Sequence, residues 1–409
     1  MSAPLATGLT RKDPVESSTR TVEHCTPAEL PAALVSALGV ERAAFWQSNR
    51  EPYNPQVWML DTGHGTTAAL TSGRPNTRYT KIVDLWAESE AAAEPLVGEI
   101  IAASQQRGDA GVKWQLASDA ELPGFALALG FDELREPISS ADGTRGMRGF
   151  VLWHSAWPHP QLRYYGQTTL FTCGAVAAMT ALTHLGLDPF DSSDDADARE
   201  RELAFWRAAT NFPACEPLGL AVAVHDAVAD SGVRLELHLD TTEATLLEGY
   251  EAEERAFREQ LQAQSRAEAA SRGIQQHTEP LSVSTIVDRV AGGELAMLLI
   301  EEEPMHDAST PHWVVAHAVQ GDTVLLNDPW VTAERGETWV DSHDLPVSIE
   351  VLDQLVAFGS PAYRGVIFVT RSTIASSGCS SGTSIPTASS TAPGSVISPS
   401  THHAGAVPG

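Results

Sequence analysis

Tyr165-Gly166-Gln167-Thr168-Thr169-Leu170-Phe171-Thr172-Cys173-Gly174 is a polar turn that runs straight into an apolar, alanine-rich stretch, Ala175 to Leu185, closed by Gly186. The spacing predicts a helix opening at Cys173, with Thr172 as its N-cap. A cysteine in the first turn of a helix meets the positive end of the macrodipole, which favours a thiolate. A nucleophilic cysteine needs that and a base. Gln167, a turn upstream, can aim an amide N–H at a developing oxyanion, and the backbone N–H of Cys173 can supply a second donor. Taken alone, the stretch also reads as a buried helix in which Cys173 is a small hydrophobe.

The base must come from elsewhere. Thr310-Pro311-His312-Trp313-Val314-Val315-Ala316-His317-Ala318-Val319 reads as a strand, Gln320-Gly321-Asp322 as a tight turn, and Thr323-Val324-Leu325-Leu326-Asn327-Asp328-Pro329 as the returning strand. In an antiparallel hairpin the start of one strand lies near the end of the other, so His312 and Asp328 approach each other in a register the sequence leaves open. A carboxylate beside the imidazole fixes its tautomer and stabilises the imidazolium. Alone, Asp328 is a turn former before proline, and His312 a satisfied strand histidine. The reading rests on the joint pattern.

Other candidates have plainer roles. Cys215 sits in a proline-flanked loop and reads as structural, or as lining the cleft. His184 falls near the C-terminal end of the Cys173 helix, where a cation is favourable. His317 and His306 are rival bases; His317 belongs to the opposite strand face from His312, and His306 sits in a loop that could close over the site. Glu251 to Arg272 reads as a charged solvated helix, with a movable cover as the alternative. The acidic run Asp188 to Glu202 reads as a surface loop, and His402 and His403 as an incidental solvated pair.

Working outward, the chain divides into a flexible polar lead (1–25), a first block (26–138), a linker rich in Ser, Gly and Asp (139–149), a second block (150–370), and a Ser/Thr/Gly/Pro tail (371–409) that cannot bury enough apolar surface to order itself. The first block reads as helix (Pro27 to Leu38), strands around Val57 to Leu60, Thr66 to Thr71 and Tyr79 to Trp86, helix (Glu88 to Arg107), strand (Val112 to Ala117), helix (Leu122 to Leu129), then Leu129-Gly130-Phe131.

Composition bounds the function. The 409 residues carry 43% hydrophobic and 19% charged side chains, ordinary for a globular protein. The formal net charge of -27, from 53 acids and 26 bases, repels phosphate backbones and anionic membranes, so neither nucleic acid nor membrane is expected as a partner. The four cysteines are far apart, with no metal-ligand spacing, and no cofactor is expected. Without a signal-peptide pattern or an apolar run long enough to span a bilayer, a reducing cytoplasm and free thiols are expected. Oligomeric state is not legible.

Two resemblances join these readings. The run Gln167 to Gly174, with His312-Trp313-Val314-Val315 and Asn327-Asp328-Pro329, resembles the C39-like peptidase family of the papain-like clan. The similarity extends to Glu202-Leu203-Ala204-Phe205-Trp206-Arg207 and Pro217-Leu218-Gly219-Leu220. It implies an α+β papain-like domain, a helical half plus an antiparallel sheet, with Cys173 as nucleophile, His312 as base, Asp328 as its orienter and Gln167 as oxyanion donor. The implied activity is cleavage of a peptide or amide bond in a peptide or protein substrate through an acyl-enzyme. A papain-like acyltransferase and a binding module with dormant chemistry are the alternatives. The family's better-known members cleave leader peptides after double glycine and are fused to membrane exporters with an ATPase; this chain shows neither part, so that specificity is not carried over. The first block resembles the acyl-CoA-dependent N-acetyltransferase fold, a smaller α/β domain also found ahead of some C39-like domains. That family binds pyrophosphate at a glycine-rich turn before its long helix. Here the turn, Ala87-Glu88-Ser89-Glu90-Ala91-Ala92, has no glycine and two glutamates, so the block is expected to be degenerate.

Overall fold

Two seven-stranded mixed sheets, flanked by helices, make an α+β architecture. The computed structural model describes residues 21–371 except 141–143, 158–160, 188, 191–194, 211–213 and 308, and all of them belong to one compact unit. The tail begins one residue later than expected, since β14 runs to Arg371; residues 372–409, with His402 and His403, and residues 1–20 of the lead lie outside the described residues.

The strands of the first sheet are β1 (Glu23–Cys25), β2 (Gln56–Thr62), β3 (Gly65–Ser72), β4 (Tyr79–Ala87), β5 (Gly111–Ala117), β6 (Asp132–Glu133) and β7 (Met147–Trp153). They lie in the order β1-β2-β3-β4-β5-β7-β6. Among the described strands of this sheet only β4 and β5 pair in parallel, because the helix Glu90–Arg107 crosses between them and returns the chain to the same edge. Ser89 caps that helix at Ala92 N, and Gly108 ends it in the left-handed region. Leu96, Val97 and Ile100 pack against Trp58, Ile82 and Trp114 of the sheet.

Three sequence readings need correction here. The helix read over Pro27 to Leu38 is a short 3-10 turn, Pro27–Glu29, followed by Ala32–Leu38, and a further helix, Val40–Trp46, comes after it. Pro31 lacks the N–H a continuous helix needs, and Gly39, at φ 77°, stops the next turn. The lead ends early, since β1 pairs with β2. The segment 139–149 is not linker to its end. Strand β7 begins at Met147 and runs antiparallel to β5, from Ala117↔Met147 to Gly111↔Trp153, so residues up to Trp153 complete the first sheet by covering the otherwise unpaired edge of β5.

The second sheet comprises β8 (Val233–Leu239), β9 (Gln276–His277), β10 (Leu295–Glu301), β11 (Pro311–Gln320), β12 (Thr323–Asn327), β13 (Leu345–Ser348) and β14 (Gly365–Arg371), in the order β13-β12-β11-β10-β14-β8-β9. Its long strands are apolar on both faces because both are covered. Leu295, Met297 and Leu299 of β10 enter one core with the helices Cys173–His184 and Pro217–Ala227. Ala296, Leu298 and Ile300 enter another with the helices Val283–Ala291 and Ile349–Leu355.

The two sheets meet through polar groups, half-buried at Arg78 and buried at Lys81 and Lys113. Arg78, in the loop between β3 and β4, donates its backbone N–H to Pro346 O at 2.8 Å and pairs with Asp322. Lys81 pairs with Asp341 of the short helix Trp339–Ser342. Lys113 Nζ donates to the carbonyls of Val340, Asp341 and His343 at 2.7 to 3.1 Å. Burial pushes its ammonium down to about 7, against the pull of Asp341 and Asp344.

Candidate functional site

The hairpin of β11 and β12 sets the register that the sequence left open. Val315 lies opposite Asn327, with His312 near the start of β11 and Asp328 directly after β12. His312 Nε2 and Asp328 Oδ1 are 2.7 Å apart. Asp328 Oδ1 also accepts the Trp330 backbone N–H at 2.8 Å. This is the turn geometry Asp before Pro favours, used here to aim a carboxylate at a ring.

Cys173 is the first residue of the helix Cys173–His184, and its thiol is close enough to the His312 ring to help hold the imidazolium charge there. With Nε2 on Asp328, Nδ1 is the nitrogen left for the sulfur. The start of the helix is fixed by close packing. A Cβ on Gly174 would stand 2.9 Å from Cys215 Cβ and 3.2 Å from Trp313 Cδ1, so only glycine lets the first turn approach β11 this closely. Trp313 Nε1 in turn donates to Cys215 O at 2.9 Å. Cys215 therefore sits beside Cys173 as a packing residue, and burial, then the neighbouring Cys173, pushes its thiol well up.

Electrostatics separates the members of the site. Burial works against the His312 imidazolium, but Glu302 and Asp328 outweigh it and hold the ring well above its ordinary value. Burial also raises Asp328, yet Arg74 and then His312 overrule it and hold the carboxyl far below the usual range. His306, the rival base, is pushed down to about 3 by burial, with Arg74 adding to the effect. It stays neutral at physiological pH, with Nδ1 2.9 Å from Tyr53 Oη. His317 pairs instead with Asp344 at 3.1 Å. His184 remains at the end of the Cys173 helix.

Gln167 is buried, and its backbone N–H donates to Pro329 O at 2.9 Å, which ties the loop before Cys173 to the Asp328 turn. Its side-chain Nε2 donates to Thr169 O at 2.8 Å, while its Oε1 is buried without a hydrogen-bond partner among the described residues. The expected Thr172 cap is absent: its hydroxyl donates to Glu202 instead. The surface-loop reading of Asp188 to Glu202 fails at its end, from Asp195 on, while 188 and 191–194 lie outside the described residues; Glu202 is the clearest departure. It is fully buried in the helix Asp195–Ala209 and accepts from Thr168 N and Oγ1, both at 2.8 Å, and from Tyr165 Oη at 2.9 Å. One carboxylate thus fastens the whole turn from Tyr165 to Thr172. The Ala252–Ser271 helix buries Arg258, Gln262 and Ala269, and Gln262 bonds to Thr245, so it is packed rather than a cover.

Arg74 and Glu202 are the site residues that sequence reasoning missed. Arg74 Nη1 lies 2.5 Å from Asp328 Oδ2. Glu202 opens the run Glu202 to Arg207, whose resemblance was noted without a role for its first residue. Arg74 lies in another block, and no local pattern marks it. Among the described residues, Glu236, His238 and His277 could present three metal-ligand atoms. Arg289 already stands among them, 2.7 Å from Glu236 and 3.2 Å from His238, so a cation is in place.

In comparison with known proteins, the sequence model of a family described as "Peptidase_C39 like family" matches residues 162–370. No curated protein matches. Among solved structures, the chain is similar to the ribosomal-protein-S18-alanine N-acetyltransferase from Escherichia coli, with 17% identity over 34% of this chain and 96% of that one, at a TM-score of 0.25. A likeness at that level says nothing about the first block's chemistry.

Proposed function

The chain belongs to the Peptidase_C39-like family, a membership that gives it a peptidase-like role, and from that premise we propose that Cys173, His312 and Asp328 form the triad of a cysteine hydrolase on a papain-like fold. The observation that carries the reading is the convergence of residues remote in sequence: His312 Nε2 on Asp328 at 2.7 Å, with the Cys173 thiol among the groups that raise the same ring.

The chemistry is acyl transfer to water. The Cys173 proton passes to His312 Nδ1 and the sulfur attacks a peptide or amide carbonyl. The oxyanion takes a Gln167 Nε2–H and the Cys173 backbone N–H, one of the helix's unpaired first-turn donors. His312 returns the proton to the leaving amine, and a water then hydrolyses the thioester. Asp328 keeps Nε2–H oriented throughout. Leu170 and Phe171, 68% and 45% exposed just before the nucleophile, offer apolar contact to a peptide substrate.

No helix among the described residues is long and apolar enough to cross a membrane. Cys25, Cys173 and Cys215 are free thiols, in keeping with a reducing compartment. We assign the first block no acyl-CoA turnover. Ser89 already occupies the helix start, and Glu88 and Glu90 bond to Thr66 N and Gly124 N across the turn that would have to hold phosphate.

A second reading, a binding module with dormant chemistry, is favoured by one observation: Cys173 and His312 are only 6% and 4% exposed. Labelling with iodoacetamide at mildly acidic pH separates the two. The hydrolase reading expects Cys173 to react far faster than the other cysteines, and to lose that advantage in His312→Ala. Equal, slow reaction of all thiols leaves the binding module. Release of acylated amine when acceptor amines are added would redirect the assignment to a transferase with the same triad.

A further inference from the structure

We propose that Arg74, carried by the β3–β4 loop of the first sheet, positions Asp328, so that the reactive centre is assembled from both blocks of the chain. The proposal rests on the reading of Cys173, His312 and Asp328 given above.

The argument starts from the two oxygens of Asp328. Oδ1 accepts from His312 Nε2 and from the Trp330 backbone, while Oδ2 accepts from Arg74 Nη1. A buried carboxylate with one idle oxygen can turn about its side-chain bond or take up a proton; a guanidinium on the second oxygen opposes both. The guanidinium is itself locked. Its Nε donates to Glu337 Oε1 at 2.5 Å, and its Nη2 to Ser342 Oγ at 2.7 Å and to Trp330 O at 3.0 Å. Both Arg74 and Asp328 side chains are fully buried.

The loop is pinned as firmly as the side chain. Thr77 Oγ1 donates to Arg74 O at 2.6 Å. Thr77 bridges to Val347 of β13, and Asn76 Nδ2 reaches Pro304 O at 2.7 Å. The geometry needs arginine in particular. Its planar fork reaches Asp328, Glu337 and a carbonyl at once, whereas a lysine ammonium is a single point on a flexible stem. A second contact from the first block is Tyr53 Oη on His306 Nδ1, at 2.9 Å.

The test uses the full chain and the rate of iodoacetamide alkylation at Cys173, read from pH 5 to pH 9, with folding checked by circular dichroism. Arg74→Met should slow alkylation at pH 6 by about ten-fold or more, since a carboxylate freed on its second oxygen turns away from His312 and no longer steadies the imidazolium that sustains the thiolate. At pH 9 the two rates should converge, because the thiol then ionises without its imidazolium. Arg74→Lys should fall between the two. The control is Arg78→Met, which breaks the ion pair with Asp322 at the other end of the same hairpin and should match the wild type. A wild-type Cys173 no faster than the other cysteines would sink the triad itself. A fast wild type with Arg74→Met unchanged, slowed equally at every pH, or matched by Arg78→Met would overturn the role of Arg74 alone. Should Arg74→Met fail to fold, Arg74→Lys decides, and wild-type behaviour there reduces Arg74 to an interface residue.

Discussion

His312 and His306 lie in one neighbourhood with opposite electrostatics, and the difference is set by which influence wins at each ring. At His312, Glu302 and Asp328 together outweigh burial; at His306, burial and Arg74 win although Asp328 pulls the other way and Glu302 Oε1 lies 3.4 Å from Nε2. The pH behaviour follows from the sign of each shift. His306 is depressed to about 3, so the unfolded chain binds its proton first, and folding stability falls as pH drops from about 6.5 towards 3. His306→Gln should flatten that part of the urea-unfolding profile, by up to about 1.4 kcal/mol per pH unit relative to wild type. His312 is raised, so its contribution is full below about 6.5 and fades as pH climbs through its folded value. The stability gap between wild type and His312→Gln should therefore narrow at alkaline pH. A gap that widens, or a His306 variant as acid-sensitive as the wild type, would refute these assignments.

At the level of the elements, the helix Cys173–His184 and the strand β11 make one reactive unit because nothing separates them at Gly174. An alanine there gains helix propensity, worth up to about 1 kcal/mol. It also forces a methyl to within 2.9 Å of buried Cys215. Overpacking costs about 1–3 kcal/mol, and in a buried first turn that term wins. Gly174→Ala should lower stability by about 1–2 kcal/mol net and slow alkylation of Cys173, as the helix start moves off β11. Urea unfolding and the alkylation rate check both, and an equally stable, equally reactive variant would contradict the packing argument. The 3-10 break at Pro27–Glu29 and the hidden β7 belong to this scale too: local propensity placed a continuous helix and a linker where backbone pairing needed something else.

For the whole molecule, the two sheets behave as one body through ionic groups removed from water. Lys81 and Asp341 are both buried, and Asp341 also accepts from Tyr79 Oη and Thr338 N. Removing one partner of such a pair strands the other, at a cost of about 3–5 kcal/mol. Lys81→Met should show that loss in urea unfolding. Adding Asp341→Asn, which removes the stranded charge and keeps an acceptor, should restore most of it. Equal stability of wild type and Lys81→Met would mean that water reaches the interface.

The sequence by itself determined the local elements that carry Cys173, His312 and Asp328, and the chemistry of those single residues. A helix must open at Cys173, where a polar turn meets an alanine-rich run. A hairpin must turn at Gly321, and it carries His312 and Asp328 to neighbouring ends. Those facts follow from propensity, periodicity and turn chemistry, which act over a few residues. Only the tertiary structure decided the register that brings His312 onto Asp328, the burial of Glu202 under the turn before Cys173, and the entry of Arg74 from the other sheet. Each is a contact between segments 16 to 254 residues apart. A charge of that kind leaves no local trace, because a buried arginine and a solvated one are the same letter until the fold removes the water around it.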